Sequence, residues 1–280
     1  MDTRINGILK ALLLAAVVLV AFTGCKRGDD RARPSKKTKE VYQKETNLRY
    51  AARAIYEGIQ AYRQGRILEA AQKFGYAVTL TADINDFRLF PKAPPIKADA
   101  HFWYGLTVMD IYRFADKSSL AIYDEKGRKI GEKASPEMAM QHIERAIELY
   151  PAPALYYFGK GYVYLHSGDP NTAIKWFNSA IGRDNGNPDF YANRGLAYYM
   201  LARDADSMSV RGPYMKLAQD DALRALSIND RHYLANVLLV RLYIMADDLK
   251  SAKMVIQDMA DKNLPVDKVL AEYEKAMRKR

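Results

Sequence analysis

The sequence has little of what most chemistry needs. It holds a single cysteine, Cys25, so no disulfide can close within the chain and no cysteine-based zinc site can form. The four histidines, His101, His142, His166 and His232, are scattered without metal-ligand spacing. No glycine-rich phosphate loop and no nucleophile motif occurs. Asp220–Asp221 and Asp247–Asp248 are sequence neighbours, whose side chains diverge on a helix, so they read as solvated surface charges. These shortages exclude the usual routes to catalysis: the sequence offers no catalytic residue, no metal ligand set and no cofactor site. His142 shares a helical pattern with apolar positions and is expected near a packing face.

Long apolar runs are also scarce. The longest, "ALLLAAVVLVAF" from Ala11 to Phe22, has 12 residues, against the roughly 20 needed to span a bilayer as a helix. It follows Arg4 and Lys10 and precedes Thr23, Gly24 and Cys25, the layout of a secretory signal. Glycine (16) and proline (11) are modest, while tyrosine reaches 20 and apolar residues 49% of 280. Such a mixture suits helices joined by short turns, in one large domain or two small ones.

The net charge of +10 suggests an anionic partner or surface until the charges are located. "KRGDDRARPSKKTKE", Lys26 to Glu40, carries seven basic and three acidic residues and no apolar periodicity. It reads as part of a solvated tether over 25–45. Much of the basic excess is therefore confined to this one segment, which argues against nucleic acid as a partner.

"FTGC", ending at Cys25, resembles the lipobox of bacterial lipoproteins, with Phe22 where that family usually has Leu. The resemblance implies cleavage after a signal peptide over 1–24 and acylation of Cys25. The protein would then be held by a lipid anchor. Lys26 stands where an Asp commonly retains such proteins at the inner membrane, so the implied location is the outer membrane, facing the periplasm.

A period of 34 residues organises the rest. Tyr157, Gly161 and Tyr164 correspond to Tyr191, Gly195 and Tyr198. Ala173, Phe177, Ala180 and Ile181 correspond to Ala139, Ile143, Ala146 and Ile147, and Ala218, Ala222 and Ala225 to Ala252, Ile256 and Met259. Positions 173, 177 and 180 fall on one helix face. Small residues let paired helices approach, and Phe177 and Tyr164 fill the space between them. Asp169–Pro170, Asn187–Pro188 and Ser135–Pro136–Glu137 are helix-start signals, and Gly168 suits a helix end.

This pattern resembles the tetratricopeptide repeat, whose unit is two antiparallel helices. The resemblance implies an all-α solenoid of about five helical hairpins over 46–265. Further units are marked by Gly58, Ala70, Phe74 and Ala77, by Gly105, and by Val240 and Tyr243. "VDKVLAEYEKAMRKR" would add a capping helix over 266–280, its apolar face being Val266, Val269, Leu270, Tyr273 and Met277. Spacing departs from the period at three places. The extra residues lie between Gly58 and Gly105, between Gly105 and Ala139, and between Gly195 and Ala218. Each reads as a loop or a lengthened helix; Leu120 to Lys133 fits a small β-hairpin, a loop or extended helices equally.

In that family the first-helix face binds peptides or protein segments. Alignment on the small residues assigns this face Tyr62, Phe102, Trp103, Phe158, Tyr162, His166, Asn193, Tyr199 and Arg241. The expected function is a lipid-anchored scaffold that binds a protein or peptide partner in envelope assembly or transport. The alternative is a component of a solute-uptake system that binds a small hydrophobic ligand.

Overall fold

The computed structural model describes residues 35–114 and 133–278. Cys25, the signal peptide and most of the Leu120–Lys133 insertion lie outside the described residues. The described residues form eleven helices and no strand. In chain order they are α1 (Lys36–Arg63), α2 (Ile67–Thr81), α3 (Ala93–Phe114), α4 (Pro136–Leu149), α5 (Ala154–His166) and α6 (Pro170–Arg183). Then follow α7 (Pro188–Asp204), α8 (Met208–Ile228), α9 (Tyr233–Met245), α10 (Leu249–Asp261) and α11 (Asp267–Met277). The chain divides into two compact units between Thr107 and Val108, within α3.

The first unit is built on the α1–α2 hairpin and the first part of α3. Gly58 on α1 faces Phe74 on α2 so closely that a Cβ at position 58 would lie 2.6 Å from the ring. Phe74, Ala70 and Ala77 are fully buried. A second cluster joins Leu48 to Ile84, Phe90 and Ala93, which anchors the connection between α2 and α3. The extra residues between Gly58 and Gly105 are accommodated by this connection, residues 82–92. The helix starts at Lys36, inside the stretch that composition assigns to a tether. Ser35 caps it by accepting from the Thr38 backbone N–H at 3.1 Å, and Glu40 pairs with Lys44 one turn on. A charged segment needs no apolar stripe when it extends a helix whose later turns are buried.

The second unit stacks three hairpins, α5–α6, α7–α8 and α9–α10, with α4 at one end and α11 at the other. In α5–α6 a Cβ at Gly161 would come within 2.7 Å of Phe177 and 3.2 Å of the Ala173 carbonyl oxygen. In α7–α8 a Cβ at Gly195 would lie 3.1 Å from the Ala218 carbonyl oxygen and 2.9 Å from Leu238 of α9. Ala139, Ala146, Ala173, Ala180, Ala218, Ala222, Ala225 and Ala252 are all fully buried, as the 34-residue register requires. Three sequence-read starts act as caps. Ser135 accepts from Met138 N–H, Asp169 from Thr172 N–H, and Asn187 from Asp189 N–H. The insertion between Gly195 and Ala218 proves to be added helix: α7 runs 17 residues and α8 21, with Pro213 in its early turns.

Four helix ends share one backbone solution. After α1, α5, α9 and α10 a residue enters the left-handed region: Gly65, Gly168, Asp247 and Asn263. In each the following N–H bonds back five residues, Arg66 to Ala61, Asp169 to Tyr164, Asp248 to Tyr243 and Leu264 to Met259. This is the Schellman arrangement, which satisfies carbonyls the helix leaves open.

Two sequence expectations are corrected. Asp221 is buried, not solvated: Arg194 grips it with Nε at 2.8 Å and Nη2 at 2.6 Å while Nη1 reaches Asn178. Burial raises the Asp221 carboxyl above the usual range, and the Arg194 guanidinium opposes that rise. On α11, Val269 is buried and Val266 and Tyr273 pack beside it, but Leu270 and Met277 face solvent. The helix has one partner side, so only the residues near Val269 can reach it.

Two outcomes follow for urea denaturation. Gly168→Ala lowers stability by about 1–2 kcal/mol, because alanine pays the left-handed penalty that glycine does not. Asn263→Gly at the equivalent, solvent-exposed position raises it by about 0.5 kcal/mol; equal midpoints for both variants would refute the account. For the ion pair, a double-mutant cycle of Arg194→Ala and Asp221→Ala gives a coupling of about 2 kcal/mol, and a coupling near zero would show that burial alone matters.

Candidate functional site

The sequence-assigned face divides between the two units. In the first, Trp103 is the centre of an aromatic group. It meets Tyr62 edge-on at 5.9 Å, stacks on Phe74 at 5.8 Å and meets Phe102 edge-on at 5.2 Å. Tyr62 and Trp103 keep part of their surface in water, but Phe102 is fully buried. Phe102 is therefore core, not groove: in a helix one residue away from a lining position turns through about 100° and points elsewhere.

In the second unit Phe158 is likewise core, packed with Phe177 at 5.7 Å and Phe190 at 5.2 Å. Asn193 is buried and spends its amide on the Asp189 carbonyl oxygen of its own helix, at 2.8 Å. Neither side chain is free to meet a partner. Tyr162, His166, Tyr199 and Arg241 do remain partly exposed. Leu155, Leu196 and Met200 join them, half-buried against the Phe158 cluster. Sequence alignment on Gly161 and Gly195 omits these aliphatic residues, although they stand next to the aromatic ones.

Charge enters this unit at both ends. At the α3 end, Tyr162 donates to Asp110 Oδ1 at 2.5 Å, and Arg113 donates to the Tyr162 hydroxyl. Arg113 also stands 3.6 Å from Asp110, and its guanidinium covers the Phe114 ring at 4.4 Å. His166 meets the Tyr162 ring edge-on at 4.4 Å. Burial, then Asp110, pushes the Tyr162 hydroxyl far above the ordinary phenol value. At the other end, Arg241 forms a two-pronged pair with Glu272 of α11, at 2.9 and 2.7 Å. Tyr199 lies within the field of that pair, and burial raises its hydroxyl. Both guanidiniums are thus paired with carboxylates of this chain, and the half-buried Leu155, Leu196, Tyr199 and Met200 carry no charge. Asp110, Arg113 and Glu272 are absent from the sequence assignment; the i, i+3 spacing of Asp110 and Arg113 was the available signal.

Two hollows lie away from these residues. One, about 340 Å³, opens between Glu40, Gln43, Lys44, Asn47, Asp83 and Ile84. The other, about 420 Å³, lies along α11 at Ala271, Glu274, Lys275 and Arg278. Both are open and charged at the rim. Among the described residues no group of three or more His, Cys, Asp or Glu side chains could hold a metal ion. Among them, too, no helix is long and apolar enough to cross a membrane.

His166 and His142 share an electrostatic consequence. Burial, aided at His166 by Arg113, holds His166 down to about 3, and burial holds His142 down to about 4. In the unfolded chain both titrate near 6.5. Between pH 6.5 and 4 the unfolded chain therefore binds protons that the folded chain refuses, so stability falls as pH drops through this window. Going from pH 7 to 5 costs roughly 2 kcal/mol per histidine. His142→Gln with His166→Gln flattens the denaturation midpoint against pH over that interval; an unchanged slope would exclude these residues as its source.

Comparison with known proteins agrees with this architecture. Residues 154–187, which hold α5 and α6, match the family described as tetratricopeptide repeat. No curated protein matches the chain as a relative. Among solved structures, a thermophilic TPR protein of Thermus thermophilus superposes with a TM-score of 0.53 at 15% identity, over 81% of this chain and 98% of that one. YrrB, a TPR protein with an unusual peptide-binding site, gives 0.46 at 12% identity, over 86% and 98%. MamA from residue 41 of Desulfovibrio magneticus RS-1 gives 0.45 at 13%, over 76% and 94%. At such identities the likeness speaks to fold alone. Residues 154–187 form a unit similar to the tetratricopeptide repeat, and the protein has the helical-hairpin solenoid fold.

Proposed function

We propose that the protein is a lipid-anchored scaffold of the cell envelope. It is held at the outer membrane through Cys25, faces the periplasm, and captures a protein or peptide partner in envelope assembly or transport. The observation that carries the binding part is a set of half-buried side chains in the second unit: Leu155, Tyr162, Leu196 and Met200 against the Phe158 cluster, and Tyr199 against the adjoining Leu238 cluster. The set itself carries no charged side chain, and the two arginines beside it are paired with Asp110 and Glu272. It rewards burial of apolar and aromatic side chains, at about 25 cal/mol per Å², and large rigid aromatics suit it at low entropic cost. An extended polypeptide can bury such side chains one after another, whereas a small apolar solute wants an enclosed pocket.

The test is capture from mildly solubilised envelopes by the full chain, read by mass spectrometry of what copurifies. Leu196→Ala with Tyr199→Ala lowers recovery of the partner about tenfold or more, with little change in thermal midpoint. Equal recovery would remove this surface from consideration, and a copurified lipid or metabolite in place of a polypeptide would favour the solute-binding reading.

A further inference from the structure

One helix face in the first unit is not used by the hairpin packing. The core side of α1 is formed by Leu48, Ala51, Ala54, Ile55, Gly58 and Ala61. At 100° per residue, Lys39, Tyr42, Thr46, Arg49, Tyr50, Arg53 and Tyr56 fall together on the opposite side. The three tyrosines are among the most exposed aromatic residues described, at 65%, 52% and 45%. Lys39, Arg49 and Arg53 are also exposed. The stripe runs about 26 Å along the helix, at 1.5 Å per residue.

Its composition is selective. Tyrosine alternates with Lys or Arg throughout, and the stripe contains no Leu, Ile, Val or Met. A helix that docks into a protein groove presents an apolar core depleted of charge. Tyrosines interleaved with cations instead match the headgroup layer of a bilayer, where rings sit at the apolar boundary and cations meet lipid phosphates. The acidic residues nearby do not cancel the stripe. Glu57 falls on this side too and pairs with Arg53 and Lys73, at 2.8 Å from each, which leaves Lys39 and Arg49 as the stripe's remaining cations; Glu45 stands at the margin. Position supports the same occupant. Nine residues lie between Cys25 and Ser35, a reach of at most about 35 Å from one to the other.

We propose that the Tyr42–Tyr50–Tyr56 face of α1, with Lys39 and Arg49, lies against an anionic lipid surface. It would lay the first unit along the membrane instead of leaving it to swing on a tether. Its placement rests on the proposed anchor at Cys25, and the experiment reads the two separately.

The full chain is reconstituted on vesicles of phosphatidylcholine alone, or with about 30 mol% phosphatidylglycerol. Flotation at about 0.5 M salt reports the anchor, because headgroup attraction is screened there. Tyrosine nitration, mapped by mass spectrometry, reports the face. On the anionic vesicles at about 0.05 M salt, nitration of Tyr42, Tyr50 and Tyr56 slows about fivefold or more. Tyr150 and Tyr233, exposed in the second unit, react as before. High salt, or Lys39→Glu with Arg49→Glu, restores the rate. Equal nitration on both vesicle types overturns the proposal. So does protection that ignores lipid charge and salt, which would mark contact with another protein copy or a neutral surface. A chain that leaves the vesicles at high salt overturns the anchor alone, while low-salt protection still reads the face.

Discussion

The structure depends on close helix approach at a glycine in three of its hairpins, α1–α2, α5–α6 and α7–α8. Gly161 against Phe177 and Gly58 against Phe74 are the same event in two units: a phenyl ring takes the space that a Cβ would fill. The ring is fully buried in both cases. Gly195 varies the theme, since its open side is filled partly by Leu238 from the next hairpin and partly by Asp221 of its own. A methyl group at any of these positions would push the helices apart or displace a packed ring, and interiors at near-crystalline density tolerate neither well.

Polar groups buried by this packing are handled locally. Arg194 and Asp221 bind each other, Asn236 returns to the His232 carbonyl oxygen, and Lys97 donates to the Ala82 carbonyl oxygen and to Asn85. His232 caps α9 by accepting from Ala235 N–H while its other ring nitrogen meets Asp189. Of these, the His232–Asp189 contact joins two hairpins, α9–α10 to α7–α8, while the others act within one helix, one hairpin or one connection. The candidate binding surface follows from the same habit. Arg113 and Arg241 are tied to carboxylates of this chain, so the residues beside them set its character.

The fold was legible because its signals are local and repeated. Ala173, Phe177 and Ala180 announce a helix face by spacing, and Asp169–Pro170 announces where that helix begins. The start of α1 was hidden because its first turns carry no apolar pattern; the cap at Ser35 and the burial of later turns decide it. The candidate site was only half legible. Of the residues picked by their offset to a small residue, Tyr162, His166, Tyr199 and Arg241 are partly exposed, whereas Phe102, Phe158 and Asn193 are buried. Which side of a helix is covered depends on the neighbour, and sequence spacing within one helix does not contain the neighbour. The Arg194–Asp221 pair was missed for that reason, since its members are 27 positions apart on different helices.

The four Schellman ends have a bearing on how the chain comes undone. Each closes its helix with bonds no more than five residues apart, so a helix end owes nothing to distant sequence. Most helix-to-helix packing is likewise between consecutive elements. Such a chain has short-range topology, which favours rapid folding from several starting points. Pulled from one end, it would yield one hairpin after another, in small steps, and re-form by the same increments once released.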